Sequence, residues 1–160
     1  LYQMWKKIIQ STRLEREGME GAPIAGYSAA ATVGPVATMN ATAEPAQVAA
    51  GKALYVEQCA SCHGVALKGQ PNWRARMRNG KLPAPPHDAS GHTWHHADLV
   101  LFNITKRGAA ASANMGYKTD MLPYAEILSD DEIWAVLAHI KSTWPAAIQR
   151  RQEAINNRNQ

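Results

Sequence analysis

Cysteine is nearly absent: the 160-residue chain has two, Cys59 and Cys62. That scarcity excludes a disulfide framework and any four-cysteine zinc or iron–sulfur site. No apolar run approaches the length that spans a bilayer. The charged fraction is ordinary for a soluble protein, and no strong excess of one sign is present. Seventeen Lys and Arg against thirteen Asp and Glu leave a formal +4, and the cations are scattered. A nucleic-acid binder would show a dense basic stripe, so no nucleic-acid partner is expected. Phenylalanine occurs once, whereas tryptophan occurs five times. No segment reads as a strand, and the fold class expected is all-α. The chain opens on Leu1 with nothing resembling a signal peptide, so the expectation is a removed export signal or an anchor upstream.

What is present divides into three stretches. From Leu1 to Leu14, the apolar residues Leu1, Met4, Trp5, Ile8 and Ile9 fall at helical spacing beside Lys6 and Lys7. That pattern suits a partner-docking or membrane-surface helix as well as a helix covering its own domain. Residues Gly18 to Ala46 are mostly Ala, Gly, Pro, Thr and Ser with little charge, and cannot bury enough apolar surface to offset ordering. We therefore expect an N-terminal arm and linker over 1–44, a packed domain over 45–145, and a polar tail over 146–160.

Within the domain, Pro45 suits the first turn of a helix, and Val48, Gly51 and Tyr55 recur on one face before Cys59. A second helix is expected after Thr93, with His96, Leu99, Val100 and Ile104 as its buried stripe, stopped at Lys106-Arg107-Gly108. The third is the clearest. Ser129 and Glu132 form a capping box, and Ile133, Val136, Leu137 and Ile140 repeat at the helical period until Trp144-Pro145. The tail beyond is helix-prone but has no convincing apolar face.

Cys59-Ala60-Ser61-Cys62-His63 is a C-x-x-C-H sequence, the haem c attachment signature. Two thiols one helical turn apart can each add to a different vinyl group of one porphyrin. The adjacent histidine is then carried beneath the ring, to the iron. A thioredoxin-type site would need a preceding strand, and here a helix precedes the motif. A zinc site would need a fourth ligand, which the His92–His96 cluster could supply. One covalent haem c is the favoured cofactor. For the second axial position, Met121 is preferred, in a loop stiffened by Pro123 before the capped helix. Met115 competes from a glycine-containing loop, and Met77 is a third candidate that suits packing against the ring.

Around this motif the chain resembles the class I c-type cytochromes, particularly small bacterial monohaem ones, from roughly Pro45 to Pro145. The resemblance rests on Gly51 and Tyr55, on Cys59 to Gly64, on Pro71-Asn72, on Met121, and on Leu128 to Leu137. It implies a cytochrome c fold whose first and last helices cross at right angles, with Gly51 and Tyr55 meeting Trp134 or Leu137. It also implies that the Pro71 carbonyl accepts the other N–H of His63. One departure stands out: Leu122 separates Met121 from Pro123, where family members often have proline directly after the methionine. The stretch Pro83 to Asp88 and His92 to His96 looks like a subgroup feature. In it Pro85 and Pro86 would stiffen a loop bordering the haem, and Trp94 would pack on or bond to a propionate. His87, His92, His95 and His96 also invite a copper or zinc reading, against which stands a simpler role in caps and surface packing.

These readings converge on an electron-transfer protein rather than an enzyme. Lys52, Lys68, Arg74, Arg76, Arg78, Lys81 and Lys118 would surround the haem edge and steer it towards acidic redox partners. The expected setting is a respiratory, photosynthetic or dehydrogenase complex associated with a membrane and docked through the N-terminal arm. A freely diffusing carrier, or a haem enzyme, gas binder or metal binder, are the alternatives. The resemblance places the protein in the periplasm, held near the membrane by its N-terminal segment.

Overall fold

The computed structural model describes residues 43–112 and 118–159. Residues 1–42, the N-terminal arm and most of its linker, and Met115 lie outside the described residues. Every regular element among those described is helical, and none is long and apolar enough to cross a membrane.

Helix α1, Pro45–Gln58, starts with proline at its first turn, where the missing N–H costs nothing. Gly51 and Tyr55, one turn apart, are its buried residues. The chain bends at Cys59 and continues as the single-turn α2, Ala60–His63. Gly64 ends that turn with φ +77°, a left-handed conformation that suits glycine.

A short 3-10 turn, Thr93–His95, precedes α3, Asp98–Arg107, which Gly108 ends at φ +84°. The buried residues of α3 are Asp98, Leu101, Phe102 and Thr105. The expected stripe is therefore corrected: Leu99 and Val100 are 56 % and 43 % exposed. The reason is phase. The helix starts at Asp98 rather than just after Thr93, so the periodicity projected from His96 lands on the wrong face. After the brief α4, Ala109–Ser112, the chain reaches α5, Asp130–Ser142.

Helix α5 has the expected capping box. Ser129 N–H donates to Glu132 Oε2 at 2.9 Å, and Glu132 N–H donates to Ser129 Oγ at 3.3 Å. Its inner face carries Ile133, Val136, Leu137 and Ile140, with Phe102 stacked on Trp134 at 4.6 Å. The principal packing is α1 against α5. A Cβ at Gly51 would lie 1.8 Å from the Ala135 carbonyl oxygen, so the two backbones touch where the side chain is missing. The contact falls on Ala135 and Val136, between the residues expected to meet there.

The segment after Pro145 is more than a tail. It folds as α6, Ala146–Arg158, and packs against the 3-10 turn. Gln152 is 1 % exposed. Its amide nitrogen donates to Asp98 Oδ1 at 2.6 Å and to the His96 carbonyl at 3.2 Å. Asn156 donates to Asp98 Oδ2 at 2.7 Å and accepts from Asp98 N–H at 2.8 Å. Lys141 of α5 completes the cluster, 2.6 Å from Asp98 Oδ2. This helix docks through polar groups that satisfy one another.

Candidate haem site

The α1–α2 corner places the two thiols and the imidazole on one turn. Cys59 is half-buried and Cys62 exposed, and both are free. Burial, reinforced by the neighbouring Cys62, pushes the Cys59 thiol up to about 12. His63 is 8 % exposed, and its backbone N–H returns to the Cys59 carbonyl at 2.9 Å. Beneath the turn, Tyr55 donates its hydroxyl to the Gly64 carbonyl at 3.2 Å. Burial raises the pKa of that phenol, which stays a neutral donor.

His63 Nδ1 lies 2.8 Å from the carbonyl of Pro85. A carbonyl only accepts, so Nδ1 carries the proton and Nε2 keeps a free lone pair, the form an iron ligand needs. Burial lowers the pKa of His63, and the Pro85 bond works in the opposite direction.

The assignment of this role to Pro71 is therefore corrected: the acceptor is Pro85, and Pro71 is exposed. The cause is a loop. Gly69 N–H bonds the His63 carbonyl at 2.8 Å, and Gln70 N–H bonds the Ala84 carbonyl at 2.9 Å. The Gln70 side chain returns a bond from Ala84 N–H at 2.8 Å. Residues 71–83 thus leave and re-enter at one point, and the second proline run takes the place expected for the first. Gly69, at φ +66°, makes the junction possible, since a Cβ there would lie 2.5 Å from Pro86 N.

Met121 is half-buried in a segment tied down on several sides. Its N–H bonds Thr119 Oγ1 at 3.0 Å, and Asp120 pairs with Lys81. Tyr124 N–H reaches the Thr105 carbonyl at 3.2 Å, and Tyr124 Oη reaches the Gln58 carbonyl at 2.8 Å. The Met121 loop is thereby fastened to the end of α3 and to the residue before Cys59. Burial, together with Cys59 and Cys62, pushes the Tyr124 hydroxyl up to about 12. Met77, by contrast, sits in a turn closed by Gly80 and is 40 % exposed.

The histidine-rich stretch does not gather around one point. His87 stacks on His63, His92 on Trp73 and His95 on Trp94, while His96 meets the edge of His92. Among the described residues, no three His, Cys, Asp or Glu group as a metal site. Trp94 packs beside the core with Arg151 over its ring at 5.0 Å. Its Nε1 is enclosed and has no acceptor.

These residues fit a covalently held porphyrin. Two free thiols share a turn with an imidazole whose Nδ1 is already fixed, and a buried indole N–H has no protein partner. Cys59, Cys62 and His63 would hold the group. Sequence reasoning offered His87 only as a metal-ligand or surface residue, missed its stacking on His63 and the Tyr124–Gln58 bond, and noted Pro85 only as a stiffener. A ring 24 positions along the chain from His63 gives no local periodic signal.

The sequence matches the Cytochrome c family model over residues 48–144. It is 29 % identical over 100 residues to Photosystem II extrinsic protein V of Cyanidium caldarium, covering 60 % of this chain and 63 % of that one. The match thus spans less than two thirds of that relative. No solved structure matches the chain. Because the family match covers more than half of the sequence and contains the whole thiol–imidazole turn, the chain belongs to the cytochrome c family, with covalently bound haem c as its cofactor.

Proposed function

We propose that the protein transfers single electrons, as a relay within or to a membrane-associated complex. When bound, haem c supplies a one-electron iron couple. Cys59 and Cys62 would retain the group covalently, and His63 would offer Nε2 to the iron while Pro85 fixes the tautomer and ring orientation. Met121, on its tethered loop, would be the second protein ligand to the iron. With His63 and Met121 both serving as ligands, the iron would offer no open position to substrate, which suits electron transfer rather than catalysis. The observation that carries this reading is the 2.8 Å Pro85–His63 bond on the turn that bears both thiols.

Complex association is supported by the relative's name, which describes an extrinsic protein of a photosystem. In this reading the N-terminal arm docks the domain, and the setting is the periplasm or an equivalent compartment beside a membrane. Lys68 and Lys81 are engaged with Asp88 and Asp120. Arg74 lies over Trp73 at 4.2 Å, and Arg76 bonds the Gly80 carbonyl at 2.7 Å. The arginines of the 71–83 loop therefore carry the steering charge towards an acidic partner.

Redox titration of the purified holoprotein tests the electron-transfer role. A reversible one-electron transition is expected, and a protein that neither takes up nor releases an electron reversibly overturns it. Gel filtration of gently solubilised membranes tests assembly. Elution within a larger complex is expected, and elution as a monomer overturns the complex version.

A further inference from the structure

His87 has no assigned part in holding the haem, yet the fold fixes it against the iron ligand. Its ring lies on the His63 ring with centroids 3.9 Å apart and planes 21° from parallel. Its backbone is anchored at both ends: His87 N–H bonds the Leu67 carbonyl at 2.8 Å, and Trp144 Nε1 donates to the His87 carbonyl at 2.7 Å. Tyr55 also meets the His87 ring edge-on, at 5.9 Å. His87 Nδ1 is enclosed and has no hydrogen-bond partner.

An enclosed polar atom without a partner costs free energy, and an aliphatic side chain would fill the same space without that cost. The imidazole therefore calls for an account beyond packing. Its placement supplies one. Two residues earlier, Pro85 holds the edge of the His63 ring through Nδ1, and His87 covers its face. One short segment thus constrains both the proton and the plane of the ligand imidazole. Trp144 and Leu67 bind the backbone of His87, so the anchoring does not depend on its side chain.

We propose that His87 is a positioning residue for the haem ligand His63. Its flat ring sets the plane of the ligand imidazole, and its enclosed nitrogen keeps a polar group beside that ligand, lowering the reduction potential. The proposal rests on His63 being an iron ligand. The physical basis is that polarity around a metal site favours the more highly charged oxidation state, and ligand orientation tunes the metal.

The test compares wild-type holoprotein with H87L and H87F. An alkaline pyridine spectrum establishes covalent haem in each before potentials and ferric EPR spectra are recorded. Leucine removes both ring and nitrogen, and phenylalanine keeps the ring. Both variants should have higher potentials, by at least about threefold in the oxidised-to-reduced ratio, or roughly 28 mV at about 59 mV per tenfold for one electron. H87L should also change the EPR g values, whereas H87F should keep them. Haem-loaded H87L with wild-type potential and g values overturns the proposal. NMR of the ferric wild type needs no variant. The His87 ring protons should be strongly shifted by the nearby iron, and unshifted resonances overturn the proposal. A wild type lacking covalent haem would instead overturn the haem reading itself.

Discussion

A single methyl group at position 51 would probe the α1–α5 crossing. In an isolated helix, Gly→Ala stabilises by about 1 kcal/mol. Here the new Cβ would sit 1.8 Å from the Ala135 carbonyl oxygen, and backbone cannot rotate away as a side chain does. The steric effect wins. Gly51→Ala should destabilise the holoprotein towards the upper end of the roughly 1–3 kcal/mol typical of overpacking, measured by urea unfolding. An unchanged urea midpoint would mean that the helices do not meet there. His139 offers a second residue-level prediction. It is buried on α5 against the edge of Tyr55, and burial, with help from Lys52, lowers its pKa below the ordinary 6.5. The unfolded chain then takes the proton first. The stabilising contribution is complete above 6.5 and is lost as pH falls below it towards the folded value. His139→Phe should therefore flatten the loss of Tm between about pH 7 and pH 5. His87, His92 and His96, also shifted downward by burial, leave a residual slope. Identical slopes in variant and wild type would contradict this.

At the scale of elements, α6 depends on one carboxylate. Asp98 accepts from Lys141, Gln152 and Asn156, and its own N–H is taken by Asn156. Removing one partner of a buried ion pair leaves the other charge uncompensated, which costs about 3–5 kcal/mol. Asp98→Ala should approach the lower part of that range, because the pair retains a little exposure. Amide hydrogen exchange should accelerate selectively across 146–158, and uniform protection there would show that other contacts hold the helix. The same helix shows where sequence reading stops. Helix α5 was legible because Ser129, Glu132 and a run of aliphatics at the helical period each state their role locally. In α6 the one fully buried residue is Gln152, flanked at four-residue spacing by half-buried Ile148 and Asn156, so the centre of the inward face is polar. A scan for apolar stripes does not register a face whose burial is satisfied by hydrogen bonds. Helix α3 was found but misphased, because its start depends on a separate turn at Thr93–His95. The thiols and His63 were legible from spacing alone. Pro85 was not separable from Pro71, since the choice is made by the pairing of Gln70 with Ala84 across a loop of unpredictable length.

At the scale of the whole molecule, a helical domain brings a two-thiol turn, an oriented imidazole and a tethered methionine loop into one structure. Electron transfer, partner docking and the role proposed for His87 all require a porphyrin joined to Cys59 and Cys62. Intact-mass spectrometry under denaturing conditions, on protein matured in a host that attaches haem, tests that requirement most directly. The predicted result is a polypeptide heavier by one haem, with the added mass lost when both cysteines are replaced by alanine. A wild-type chain at its bare polypeptide mass would contradict the account.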